Sequence, residues 1–173
     1  DSSTSRGLGD VYKRQERVLK LIADAENYGH EILLDGRSAC RAHGYYVGPT
    51  IFTNVPNDSK LAQTEIFGPV VSTEAWDDDE EVICKANDTI YGLAAGIWSK
   101  DVGKAMRISD KIEAGTIYIN NYFNAATQSP VGGFKQSGYG RESGWEGMRS
   151  FMQTKSVWSV SYTHLTLPTN REV

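Results

Sequence analysis

The sequence has little of several features that mark common classes of protein. Its 173 residues include two cysteines and three histidines, too few thiols for a disulfide framework and no histidines at metal-ligand spacing. The 22 acidic and 18 basic residues give a net charge of −4 without a basic stripe, which argues against nucleic-acid binding. No apolar run is long enough to span a membrane, and the N-terminal residues are not a signal peptide. These absences predict a cytoplasmic protein with no metal site and no contact with nucleic acid or membrane.

Neither cysteine has the surroundings of a nucleophile. Cys40 lies three residues before His43, but the local sequence is typical of a loop and offers no acid to orient the imidazole. Cys84 falls inside a predicted helix and is interpreted as a small buried hydrophobe. We therefore assign no catalytic residue within this chain.

Apolar spacing and β-branched residues predict alternating helices and strands. Val18, Leu19, Ile22 and Ala25 recur at helical spacing, which predicts a helix over residues 15–28 that Gly29 ends. The other predicted elements are strands over 31–34, 45–55, 93–98 and 115–120, and helices over 77–87 and 101–112. The expected inner face of the last helix consists of Val102, Ala105, Met106 and Ser109. This alternation predicts α/β layers around a largely parallel sheet.

Residues 65–70 place a carboxylate and an aromatic ring close together. In extended backbone Glu65 and Phe67 would share a face, since they lie two residues apart. Gly68 allows another backbone or a ligand to come close, and Pro69 fixes the chain direction. The pair is suited to a sugar diol and its attached heterocycle, whereas the alternative is an ordinary solvated loop carboxylate.

Residues 129–142 form a second marked stretch, rich in glycine. The glycines from Gly138 onward have one residue too many for G-x-G-x-x-G, and no Lys-Ser/Thr follows as a phosphate-binding loop requires. We interpret the stretch as a surface-crossing loop whose glycines permit positive φ and close packing.

Five segments in order resemble the aldehyde dehydrogenase superfamily, at family-like spacing. They are residues 44–50, 65–70, 87–93, 114–120 and 129–142. The resemblance runs from about Gln15 to about Val157 and implies the C-terminal part of such an enzyme. It implies an α/β fold: a fragment of the catalytic domain with a mostly parallel sheet, flanking helices and a C-terminal edge strand near 150–157.

The chain is accordingly divided into three parts. Residues 15–158 are predicted to be the C-terminal part of an aldehyde dehydrogenase catalytic domain. Residues 1–14 are a polar N-terminal extension, expected to be irregular, and 159–173 are a tail, both unlike the family. We expect both ends to be foreign sequence joined to an incomplete reading frame.

The resemblance also implies roles for individual residues. Glu65 would accept hydrogen bonds from the nicotinamide ribose of NAD or NADP, and Phe67 would pack beside it. Tyr122, Phe123 and Val131 would line the substrate channel. Together with Trp145, the first two form either an aromatic wall for a cationic aldehyde or plain packing.

The reaction of the family is oxidation of an aldehyde to a carboxylic acid through a cysteine thiohemiacetal and thioester. By resemblance, the nucleophile and the general base lie upstream of residue 65, in sequence that this chain does not contain, so the chain alone is expected to be inactive. The parent enzyme is expected to be a homodimer or homotetramer. The alternative is an inactive module that only associates through its C-terminal strand.

Overall fold

The computed structural model describes residues 3–39, 44–124 and 126–159, with side chains from residue 11 onward. The helices are α1 (Ser3–Asn27), α2 (Lys60–Gln63), α3 (Asp79–Asn87), α4 (Val102–Ser109) and α5 (Gly144–Arg149), with a 3₁₀ turn at Arg37–Ala39. The strands are β1 (Glu31–Leu34), β2 (Thr50–Thr53), β3 (Val70–Ser72), β4 (Tyr91–Gly92), β5 (Ala94–Ile97), β6 (Thr116–Ile119) and β7 (Phe134–Lys135).

Helix α1 confirms the predicted helix but begins much earlier. It starts at Ser3, so the expectation of irregular structure over residues 1–14 is wrong for the part that the structure describes. No proline interrupts this segment, and helix propagation from the apolar stretch adds one hydrogen bond per residue. The helix ends before Gly29, whose φ of 88° suits the left-handed stop.

The core lies between α1 and a three-stranded sheet. Strand β2 occupies the centre of the order β1-β2-β3, pairing antiparallel with β1 and parallel with β3. The buried cluster consists of Val18, Ile22, Ala25, Phe52, Val55 and Leu61. The predicted spacing on α1 therefore identifies its buried face, because three of these six residues belong to it.

A second group of strands follows α3. Strands β5 and β6 pair in parallel, and β4 pairs antiparallel with β7. The α/β class is confirmed, but the pairing is mixed instead of mostly parallel, since β1 and β7 each run against their neighbour. The two groups are joined at Asp88, whose carbonyl accepts from Gln63 Nε2 at 2.7 Å.

Two predictions of burial are wrong. Helix α4 buries Ala105 completely, yet Val102 and Met106 remain 57% and 52% exposed. Cys84 on α3 is exposed as well, because α3 buries Ile83 and not the position after it. For α4 the reason is that its sheet consists of two strands, β5 and β6, and covers only a narrow stripe of the helix surface.

The expected C-terminal edge strand near 150–157 is also absent from the part of the chain that the structure describes. After α5, residues 152–159 form neither helix nor strand and are exposed, so this expectation is wrong for the described part of the tail. A strand requires a partner for its backbone hydrogen bonds, and none pairs with this segment within the described structure. The division of the chain at residues 15 and 158 stays a prediction.

Candidate functional site

The turn at residues 65–69 connects α2 to β3. Helix α2 begins after Ser59, whose Oγ accepts from the Ala62 amide at 3.2 Å. At the other end of the turn, the Pro69 carbonyl accepts from the Thr50 amide at 2.9 Å. Since Thr50 is fully buried at the start of the central strand, the turn is fixed to the core at its C-terminal end.

Helix α1 supports the same turn from below. Nη2 of Arg17 donates to the carbonyl oxygen of Glu65 at 2.9 Å. Gly68 lies against Val18, and a Cβ added at Gly68 would be 2.7 Å and 2.9 Å from its two methyl carbons. The predicted close approach at Gly68 thus exists, and the neighbour is a side chain of α1.

The two predicted cofactor-binding side chains are both exposed on this turn. Glu65 is exposed, and its carboxylate makes no hydrogen bond or ion pair with any residue that the structure describes. Phe67 is 63% exposed, and the guanidinium carbon of Arg14 lies 5.0 Å from its ring centroid. The structure therefore leaves a carboxylate and a ring two residues apart open to a ligand.

Phe67 also departs from the extended backbone assumed for it. Its φ is 56°, in the left-handed region that a residue with a bulky side chain seldom adopts. Such a conformation costs on the order of 1–3 kcal/mol and persists where the surroundings impose it. Simple alternation of side chains consequently does not set the relation between Glu65 and Phe67; the turn does.

The glycine-rich stretch contains β7, which pairs with β4, and its Gly132 lies against Gly115 just before β6. Val131 and Glu142 pair through two backbone hydrogen bonds of 2.8 Å and 2.7 Å. A Cβ at Gly115 would lie 1.7 Å from the carbonyl oxygen of Gly132, so this crossing requires glycine. Gly138 and Gly140 have φ values of 117° and 81°, which confirms the predicted positive φ.

Two cations hold this loop, and neither was singled out from the sequence. The Lys135 ammonium pairs with Glu113 at 2.7 Å and also donates to the carbonyls of Asn87 and Thr89. Arg141 donates to the carbonyls of Gly133 and Gly140 at 3.1 Å and 2.6 Å. Apart from Glu113, their acceptors are backbone carbonyls, which a sequence pattern does not reveal.

An aromatic cluster stands at the carboxyl ends of β5 and β6. Tyr122 is its centre, with ring centroids 4.9 Å from Phe123, 5.1 Å from Tyr118 and 6.2 Å from Trp98. Trp145 belongs elsewhere, on α5 beside Arg149. Trp98 could have been predicted, because it follows β5 directly, beside the strand that leads to Tyr122.

The predicted site residues fall into separate groups. Tyr122 and Phe123 are in contact, with an interplanar angle of 88°. No hydrogen bond, ion pair or ring contact among the described residues links Glu65 or Phe67 to Tyr122, Phe123 or Val131.

Cys40 and His43 lie outside the described residues. Within the described ranges, no group of three His, Cys, Asp or Glu side chains is arranged to hold a metal, and no helix is suited to spanning a membrane.

Comparison with protein families places this geometry in context. The model of the Aldehyde dehydrogenase family matches residues 11–157, most of the chain. The chain belongs to the aldehyde dehydrogenase family.

Solved structures agree. An apo betaine aldehyde dehydrogenase from Staphylococcus aureus is 38% identical with a TM-score of 0.79, over 83% of this chain and 29% of that one. An aldehyde dehydrogenase from Mycobacterium tuberculosis complexed with NAD+ is 39% identical with a TM-score of 0.80, over 88% of this chain and 32% of that one. A Bacillus cereus aldehyde dehydrogenase is 40% identical with a TM-score of 0.80, over 85% and 30%. The chain thus spans about a third of the length of these enzymes.

Proposed function

We propose that this chain is the cofactor-ribose and substrate-channel segment of an NAD(P)-dependent aldehyde dehydrogenase that oxidises an aldehyde to the carboxylic acid. The observation that carries the proposal is the supported turn in which Glu65 and Phe67 are both open to a ligand. The family match from residue 11 to 157 includes this turn, the aromatic cluster and the glycine loop.

The residues of the turn fit a nicotinamide ribose. The Glu65 carboxylate has acceptor sites for both hydroxyls of a diol, and each such bond to a charged acceptor is stronger than a neutral one. Phe67 offers an exposed ring for a flat heterocycle. NAD and NADP share the same nicotinamide ribose, so the proposal covers both. Solved structures of the S. aureus and M. tuberculosis enzymes contain NAD+. When bound, the cofactor supplies the hydride acceptor.

Tyr122, Phe123 and Val131 are proposed to line the substrate channel. Tyr122 and Phe123 are 46% and 85% exposed, which is unusual for packed rings and leaves apolar surface for an aldehyde side chain. Their position at the carboxyl ends of two parallel strands agrees with the usual location of ligands in α/β sheets. The parent enzyme is proposed to be a homodimer or homotetramer.

A graft tests the proposal. Residues 11–157 replace the matching segment of the Bacillus cereus enzyme, and the reduction of NAD+ by aldehydes is followed by absorbance. The grafted enzyme should turn over, and Glu65→Gln should lower kcat/KM for the cofactor by roughly ten- to a hundredfold, since one charged hydrogen bond is worth about 1.5–3 kcal/mol. The matched control is Glu16→Gln, an exposed carboxylate on α1, which should leave kinetics unchanged.

The outcomes separate two functions. A graft that turns over but is insensitive to Glu65→Gln refutes the ribose role. A folded, soluble graft without turnover favours the alternative, a module that only associates through its C-terminal segment. That alternative has its own support in the exposure of Phe151, Val157 and Trp158, at 93%, 77% and 92%.

A further inference from the structure

Arg17 occupies a special position beneath the proposed cofactor turn. It precedes the buried Val18 on α1, and its bond to the Glu65 carbonyl joins residues 48 positions apart. Within the described structure, no other side chain hydrogen-bonds to the backbone of residues 65–68. The contact is therefore the single polar link from a side chain to this part of the turn.

The bond acts on backbone geometry and leaves the carboxylate free. A carbonyl oxygen held at 2.9 Å by a guanidinium fixes the plane of the peptide between Glu65 and Ile66. Ile66 packs against the core, whereas Glu65 before it is exposed. Fixing this peptide consequently fixes the direction in which the Glu65 carboxylate leaves the turn.

Phe67, two residues after Glu65, has a strained backbone conformation that requires support from the surrounding structure. Phe67 has a φ of 56°, and a turn without fixed ends would relax such a residue into an ordinary conformation. The fixed points are the Arg17 bond on one side and, on the other, the contact of Gly68 with Val18 and the bond from the Thr50 amide to the Pro69 carbonyl. Of these, only the Arg17 bond can be removed by a substitution on the protein surface.

We propose that Arg17 is a positioning residue for cofactor binding: it aligns Glu65 and Phe67 through the Glu65 carbonyl and does not itself touch the cofactor. The inference rests on the proposed function, since it assigns Arg17 a part in that same site. The inference predicts that replacing Arg17 weakens cofactor binding only as long as Glu65 is present. A general loss of stability or of positive charge would not depend on Glu65.

The first measurement is hydrogen–deuterium exchange on the full chain. Arg17→Met keeps an unbranched, flexible stem but removes all the donors of the side chain, and it should raise exchange of the Val70 amide about three- to tenfold. Lys20→Met removes an exposed cation from the same helix and should leave that exchange unchanged. Exchange in residues 131–142 serves as the internal reference and should be equal in all three proteins. An unchanged Val70 amide in Arg17→Met would overturn the inference.

The second measurement is a kinetic cycle in the grafted enzyme. Arg17→Met should raise KM for the cofactor several-fold while KM for the aldehyde stays the same. Arg17→Lys, which keeps a charged donor group, should restore part of the loss. In a Glu65→Gln background the further effect of Arg17→Met should shrink to less than twofold. Equal effects in both backgrounds would overturn the positioning role. A different pair of results would refute the proposed function. If Glu65→Gln leaves the kinetics unaltered while Arg17→Met still raises exchange of the Val70 amide, neither Glu65 nor Arg17 has a role in cofactor binding.

Discussion

Gly68→Ala is the sharpest perturbation that the structure offers at the turn. The added methyl carbon would lie 2.7 Å and 2.9 Å from the two methyl carbons of Val18. Carbon atoms in contact are normally about 3.5–4.0 Å apart, so the separation is too short by roughly 1 Å. Either Val18 or the turn must move.

Val18 is not able to yield. It is 1% exposed in the core, and a β-branched side chain in a helix has one strongly preferred rotamer. The turn must therefore rise from α1 by roughly 1 Å, and overpacking of this kind costs about 1–3 kcal/mol. In the grafted enzyme a displacement of about 1 Å at the cofactor should lower kcat by up to about a hundredfold.

A double-mutant cycle in urea provides the test. Val18→Ala removes the two methyl groups and should itself destabilise the full chain by about 1–3 kcal/mol. The double mutant Val18→Ala/Gly68→Ala should be at least about 1 kcal/mol more stable than expected from adding the two single effects, because the clash is relieved. Gly103→Ala, the same change on the exposed surface of α4, should be neutral or stabilising by up to about 1 kcal/mol. Additivity within about 0.5 kcal/mol would refute the argument from packing.

Two further predictions concern other parts of the chain. Hydrogen bonds from the side chain and backbone of Arg37 lower the pKa of Asp35 from 3.8 to about 2, so the pair stabilises the fold fully above about pH 4 and this contribution disappears as the pH falls towards 2. Unfolding measured from pH 5 to 2 should show this loss in wild type but not in Asp35→Asn, and parallel curves would contradict it. The exposed tail should associate: the chain should scatter as an oligomer at micromolar concentration, and joint replacement of Phe151 and Trp158 by Asp should reduce its size, whereas a wild-type monomer would refute this.

The sequence predicts the local elements well because their signals are local. The spacing of Val18, Ile22 and Ala25 identifies the buried face of α1, and Gly29 marks its end. The acids Asp79, Glu80 and Glu81 fall in the first turn of α3, where the helix dipole favours them. Each of these features depends on residues within two helical turns, and pattern and structure agree at each.

Burial on the outer helices was less predictable. The apolar spacing on α4 predicts which residues share a face, and Ala105 on that face is buried in the structure. How far burial extends around the helix depends on the width of the sheet beside it, and β5 and β6 form a sheet of two strands. Val102 and Met106 are exposed for this reason, and the apolar spacing of the helix does not contain that information.

The turn at residues 65–69 has some properties that the local sequence predicts and others that depend on tertiary packing. Its residue types indicated a carboxylate, a ring and a glycine for close approach, and all three properties are present in the structure. The partner at the close approach is the side chain of Val18, not a backbone or ligand, since the surface of Gly68 is occupied by α1. Glu65 and most of the Phe67 ring remain exposed, although Arg14 of α1 lies 5.0 Å from the ring centroid. The proposed cofactor would therefore have to approach the turn at these exposed groups, because Val18 occupies the surface of Gly68.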